Sequence, residues 1–447
     1  MSATLLERAD PAAADLPPAD ATALAEERRA RRRGVAAAVI GNALEFYDFT
    51  TYAFFAVMIG RAFFPTGDAW SSLLLSVATF GVGFVTRPIG GVLIGAYADR
   101  AGRKPAMMLT IALMAAGMLL LALTPGYATI GYAAPVLIVL SRLIQGFALG
   151  GEVGPATAYL LESAPADRRG LFGSWQLASQ GIATLVAGTI GVLLSTLLDA
   201  GQMQSWGWRI PFLLGLAIIP VGIYIRNNVP ETAGEAAGGA EASTVAVLAR
   251  LARSHGSTLL LTVPLLLCGT VSNFVSNYMT TYAITTLHLP ASLSIAATAV
   301  VGASVFVFAL LGGWLSDRYG RRVVMIVPRV ALLLAAYPAF LLMTTAPGAA
   351  TLLGMSALLA ILAAVSGAAS IVAIPEMLPR AVRSAGLSIA YAFVVTVFGG
   401  TTQLVVTWLI GVTGDPLAPA YYLIATSVIG VLAMFAMPET GRGELAD

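Results

Sequence analysis

Ten residues written twice constrain this chain more than anything else in it. Gly95-Ala-Tyr-Ala-Asp-Arg-Ala-Gly-Arg-Lys104 returns 218 positions on, counted from Asp99 to Asp317, as Gly313-Trp-Leu-Ser-Asp-Arg-Tyr-Gly-Arg-Arg322. Each copy stands where a long apolar run passes into a short basic loop. In a chain of 447 residues that interval is close to half the length, so it marks a duplicated architecture. Two weaker echoes keep the same order. Glu162-x-x-Pro165-x-x-x-Arg169 recurs as Glu376-x-x-Pro379-x-x-x-Arg383, and Pro230-Glu231-Thr232 as Pro438-Glu439-Thr440. Two hydrophobic halves in parallel repeat are a plan of secondary transporters, and the duplication points to transport.

The composition agrees. Hydrophobic residues are 58% and charged residues 11%, against roughly half and about a quarter in soluble domains. Mean hydropathy is +0.84. Twelve stretches reach the length of a membrane crossing, about 20 apolar residues: 35–60, 70–98, 105–124, 130–161, 171–197, 208–226, 257–286, 292–316, 323–345, 349–376, 384–412 and 418–437. The expected fold is an all-α membrane protein of twelve transmembrane helices in two pseudo-symmetric six-helix bundles, 34–226 and 257–437. A Gly- and Ala-rich stretch, 227–256, reads as a cytoplasmic linker whose end, 245–253, could form a short amphipathic helix. Residues 1–33 lack the apolar core of a signal peptide and read as a disordered cytoplasmic tail, and 438–447 as a second tail.

Basic residues set the orientation. With the amino terminus inside, cytoplasmic segments hold twenty Arg or Lys residues and the opposite side keeps only Arg61 and Arg209. Both termini are therefore expected in the cytoplasm. Cys268 is the only cysteine, which rules out an intrachain disulfide. No Walker motif, metal-ligand cluster or dinucleotide fingerprint appears. The reading is no enzyme, no cofactor, no metal and no nucleic-acid partner; the partners are a small molecule, a proton and the lipid bilayer, and the chain is taken as a monomer.

Ionisable groups inside a span are costly and mark function. Asn42, Glu45, Asp48 and Tyr52 fall within an arc of about 120° on one helix, and Glu45 and Arg87 each lie about 18 Å in from the cytoplasmic ends of their spans. Arg142, Gln145 and Glu152 share a stripe on the fourth span, while Gly146, Gly150 and Gly154 form a small-residue packing edge. In the second half the deep polar groups are neutral: Asn273, Asn277, Tyr278, Tyr282 and Gln403. Arg329, six residues past Val323, is expected to snorkel to the interface.

The doubled G-x-x-A/S-D-R-x-G-R-K/R loop resembles the signature of the major facilitator superfamily, and the resemblance runs from about Gly34 to Gly443. Gly41-Asn-Ala-Leu-Glu-Phe-Tyr-Asp48, Arg87-Pro88-x-Gly90-Gly91 and Arg142-x-x-Gln-Gly146-x-x-x-Gly150-Gly151-Glu152 are similar to segments of its metabolite:proton symporter group. That group carries di- and tricarboxylates, shikimate-like acids and zwitterionic osmolytes. The resemblance implies cation-coupled uptake and leaves the substrate open; the reading adopted is proton-coupled import of a small carboxylate-bearing metabolite (a di- or tricarboxylate or related organic acid) across a bacterial cytoplasmic (inner) membrane. The alternative is a proline- or betaine-type osmolyte; a drug exporter fits less well, and so does a transport-fold sensor.

Roles follow from charge. Arg87 is the candidate grip for a substrate carboxylate, with Asn42, Tyr47, Gln176, Gln180, Asn273, Asn277 and Tyr278 as neutral contacts. Glu45, Asp48 and Glu152 are the candidate proton carriers and Arg142 the counter-charge that tunes them. Asp99, Arg100, Arg103, Glu162, Arg169, Asp317, Arg318, Arg321, Glu376 and Arg383 are expected to form a cytoplasmic gate, through ion pairs or by placing an acid at a helix amino end. The same charges could serve only topology and capping.

Overall fold

A computed structural model describes residues 18–101, 103–150, 153–220 and 256–441. All regular structure among them is helical, as a chain in lipid requires when every backbone N–H and C=O must be satisfied within its own segment. Nine helices among the described residues are long and apolar enough to cross a membrane, with shorter apolar helices at Ala133–Ala148 and Gly207–Pro220. In chain order span one is Pro18–Phe63; span two is Ala69–Val85 followed by Arg87–Ala101; span three is Arg103–Leu123; span four is Ala133–Ala148 with Val153–Glu162; and span five is Arg169–Leu197. Span six is described at Gly207–Pro220. Spans seven to ten are Gly256–Thr285, Ala291–Tyr319, Arg321–Thr345 and Ala349–Glu376. Span eleven runs from Arg380 to Thr413 through a π-helical turn at Val395–Gly399, and span twelve is Ala418–Ala436. The chain has the twelve-helix fold expected of it.

Spans one and two differ from the sequence reading. Span one begins at Pro18, inside the stretch read as a disordered tail, because 18–33 is rich in the strong helix formers Ala, Glu, Leu and Arg. Span two is broken at Thr86. Pro88 has no N–H to give the Phe84 carbonyl four residues back, and that carbonyl instead accepts from the Thr396 hydroxyl of span eleven at 3.1 Å. The linker 227–256, the helix expected at 245–253 and the tail beyond Gly441 lie outside the described residues, apart from Gly256, which begins span seven.

Each half has its own core. The first is rich in aromatics, including Phe49, Tyr52, Phe54, Phe55, Phe80 and Phe84; the second is mostly aliphatic, built on Leu, Val, Ala and Met. The halves meet along two antiparallel seams that the duplication makes equivalent. Glycines set both. A Cβ on Gly181 of span five would lie 2.4 Å from the Phe306 nitrogen of span eight, and one on Gly81 of span two 2.5 Å from the Gly400 oxygen of span eleven. Only glycine lets these backbones approach so closely.

Candidate functional site

Span one carries the polar stripe into the middle of the first half, where span four answers it. Arg142 and Asp48 form an ion pair at 2.9 Å with both side chains fully buried. Gln145 completes the triangle: its Nε2 donates to Asp48 Oδ1 at 3.2 Å while its Oε1 accepts from Arg142. The guanidinium is stacked on Phe49 and Tyr52, 4.5 and 4.6 Å from the ring centroids, a contact that offsets part of the desolvation of a buried cation. Its Nε and Nη2 have no hydrogen-bond partner among the described residues. Close packing of spans two and four fixes the geometry. A Cβ on Gly146 would sit 1.5 Å from the Gly83 oxygen, and one on Gly150 2.2 Å from the Arg87 oxygen.

Arg87 stands at the break in span two, against the same ring. Its guanidinium lies 4.5 Å from Phe49 and 4.4 Å from Phe84. It is 8% exposed, its Nε is unpartnered, and no carboxylate pairs with it among the described residues. Tyr391 of span eleven is its electrostatic neighbour. That tyrosine lines a cavity of about 80 Å³ between the halves, together with Gln180, Thr270, Asn273, Ser276 and Ser370. Across this cavity Asn273 donates to Gln180 at 3.3 Å.

The neutral contacts expected from sequence divide accordingly. Gln180 and Asn273 reach the cavity. Asn42 and Gln176 instead clasp each other, Nδ2 to Gln176 O at 3.1 Å and Nε2 to Asn42 Oδ1 at 2.9 Å, and tie span one to span five. Tyr47 donates to the Pro211 carbonyl of span six, and Tyr278 accepts from Thr407. Asn277 is buried beside Ser276 but outside the cavity wall. Gln403 is fully buried, and neither atom of its amide has a partner among the described residues. Glu45 is half-buried, one turn before Asp48, and Glu152 lies outside the described residues. Sequence reasoning missed Tyr391, Ser276 and Ser370, since an isolated hydroxyl in an apolar run carries no signal of its own.

Arg329 corrects the reading of the second half. It is fully buried rather than interfacial, because Arg321, Met325 and Arg329 repeat at helical spacing on the inward face of span nine. The deep polar groups of that half are therefore not all neutral.

At the end carrying the doubled loops, Asp317 of the second half accepts from the Gly170 and Leu171 backbone N–H groups, at 2.6 and 2.8 Å, where span five of the first half begins. Arg321 pairs with Asp317 and with Glu376, both at 2.9 Å. Arg383 and the partly exposed Glu162 approach to 3.8 Å across the halves. Arg169 opens span five. Arg318 departs from expectation: it is exposed and stacks on Trp314 and Tyr319 of its own helix, 5.8 and 5.6 Å from the ring centroids. The side chains of Asp99, Arg100 and Arg103 lie outside the described residues. An acid at a helix amino end is stabilised by the unpaired N–H groups there, so the contact holds the two halves together at this face.

Comparisons with known proteins follow the same lines. The model of the sugar (and other) transporter family matches residues 34–234 and again 234–446. A citrate-proton symporter of Salmonella typhi is 37% identical over 393 residues, 88% of this chain and 91% of that one. A proline/betaine transporter of Salmonella typhimurium is 33% identical over 427 residues, 93% of this chain and 85% of that one. Among solved structures, the xylose transporter XylE from E. coli in a partially occluded inward-open conformation superposes with a TM-score of 0.68 at 19% identity, over 93% of this chain and 99% of that one.

Proposed function

The chain belongs to the sugar (and other) transporter family within the major facilitator superfamily, and on that premise we propose that it is a proton-coupled symporter importing a small carboxylate-bearing metabolite by alternating access. One observation carries the reading: Arg87, deep in span two, is held between two aromatic rings with no carboxylate of the described chain to neutralise it. A carboxylate arriving through the cavity beside Tyr391 would meet that need. The Asp48–Arg142 pair supplies the coupling. A proton on Asp48 removes the attraction that holds Arg142, and the freed guanidinium then favours an incoming anion. Proton and substrate thus bind together and leave together. Glu45 and Glu152 are the reserve carriers. The gate is the contact of Asp317 with span five and of Glu162 with Arg383. We place it in the cytoplasm of a bacterial cell, with both termini on that side of the inner membrane, from the skew of basic residues. The transporter is taken to act as a monomer.

A zwitterionic osmolyte is the second reading, favoured by the 33% identity to a proline/betaine transporter; Arg87 would then hold a single carboxylate. Proteoliposome uptake of labelled citrate, succinate and proline, with and without an imposed pH gradient, tests both. Uptake that rises with an inward proton gradient is expected, and uptake of each compound indifferent to the gradient would sink the coupling. Arg87→Gln should abolish binding of whichever carboxylate is carried. Retained affinity would move the anion site, most directly to Arg142.

A further inference from the structure

Arg329 is a buried cation with no part in that mechanism. Its guanidinium donates to three neutral oxygens: Nε to Ser366 Oγ at 3.3 Å, and Nη1 to the Cys268 carbonyl at 3.2 Å and to Ser272 Oγ at 2.7 Å. Nη2 has no partner among the described residues, and neither does any carboxylate among them pair with it. A buried cation held only by neutral acceptors keeps its full positive field in a medium of low dielectric, where charges act on each other far more strongly than in water.

Its surroundings say where that field falls. Cys268 and Ser272 on span seven, and Ser366 on span ten, are followed in the chain by Gly269, Asn273 and Gly367, and all three of those line the cavity between the halves. Ser276, one turn beyond Ser272, faces the same cavity and also a void of about 10 Å³ that Ser272 and Ser356 share. Arg329 therefore stands directly behind the cavity wall in the second half, as Arg87 stands beside Tyr391 toward the first. We propose that Arg329 is a positioning residue that acts through this wall and makes the site select acids bearing two or more carboxylates over monocarboxylates and zwitterions. One carboxylate is held by Arg87, and further negative charge is favoured by the field of Arg329. The inference rests on the carboxylate reading of the proposed function.

The test is ligand-dependent thermal stabilisation of the purified full chain by citrate, succinate and proline. Arg329→Met should weaken citrate binding about tenfold or more, succinate less, and leave any response to proline unchanged, because a Coulombic effect scales with ligand charge. Ser366→Asp sets a carboxylate beside Nε and should reproduce the loss seen in Arg329→Met with the arginine still present, so the result stands even where the methionine variant fails to fold. Equal losses for all ligands, or citrate binding untouched in Ser366→Asp, would each overturn the inference. If Arg87→Gln abolishes citrate binding while both neutralised variants bind it normally, the carboxylate reading survives and this one falls. A wild type stabilised by neither acid sinks both.

Discussion

The two halves share a scaffold but hold Arg142 and Arg329, their fully buried mid-span arginines, by opposite means. In the first half Arg142 meets a carboxylate at 2.9 Å and lies on aromatic faces. In the second, Arg329 meets two serine hydroxyls and a carbonyl. The first arrangement is an ion pair that one proton can dissolve. The second cannot be neutralised from within, since hydroxyls and carbonyls do not titrate near neutral pH. The difference teaches how two equivalent bundles can diverge: a pair that a proton can neutralise lies in the first, and Arg329, which no carboxylate of the described chain offsets, lies in the second.

The strongest way to break this comparison is Asp48→Asn. Removing one partner of a fully buried pair leaves an uncompensated cation and costs about 3–5 kcal/mol. A large fall in melting temperature is expected, with any surviving protein unable to couple uptake to pH. Citrate should restore part of the stability, since it supplies the missing anion. Asp48→Asn protein that is as stable as the wild type and still driven by a pH gradient would mean that the pair is not the switch, and Glu45→Gln would be the next variant to measure.

A smaller effect is expected at the contact between the halves. Asp317→Asn keeps the shape of the side chain but loses the charge that faces the amino end of span five and Arg321. An acid at a partly buried helix amino end contributes up to about 2 kcal/mol, so the closed face should be depopulated by up to about thirtyfold. Spin labels at the loop ends of spans five and eight would report it as a shift toward longer distances. Unchanged distances would reduce Asp317 to a partner of Arg321 within its own half. Arg318→Ala, by contrast, should leave them as they are, because Arg318 faces away from the seam.

Much of this architecture is legible in the amino-acid sequence. The repeat implies two bundles, and the stripe Asn42–Asp48 with Arg142 contains both members of the buried pair. What stays hidden depends on direction, not identity. Counting residues from the loop gives the depth of Arg329 along its helix but not the face it occupies. Asn42, Tyr47 and Gln176 share the chemistry of ligands, yet each has a partner on a neighbouring span whose position a single sequence does not reveal. The break in span two follows from Pro88 in retrospect. The proline identifies the freed Phe84 carbonyl, but only the fold shows that Thr396 comes from the other half to take it.

The smallest effect sharpens the comparison most finely, because it sits on a motif present in both halves. Glu439 caps span nine: its carboxylate accepts from the Arg321 and Arg322 backbone N–H groups at 2.7 and 3.0 Å, beside Gly320, whose φ of +94° favours glycine. Burial alone would raise its pKa, but the N–H groups of Arg321, Gly441 and Arg322 and the charge of Arg321 outweigh it and hold the carboxyl below its ordinary 4.5. A carboxyl depressed in this way stabilises the fold above its unfolded value, and the contribution is lost as pH falls from about 4.5 through the lower folded value. The group is largely solvated, so screening keeps the contribution under about 1 kcal/mol. Glu439→Gln should therefore melt slightly earlier than the wild type at pH 7, and the gap should close as pH falls from about 4.5 through the lower folded value. Glu231→Gln, at the matching position of the first half, is expected to behave alike if the duplicated motif kept its role in both bundles. A gap at Glu439 with none at Glu231 would show that the halves diverged at their ends as well as at their buried arginines.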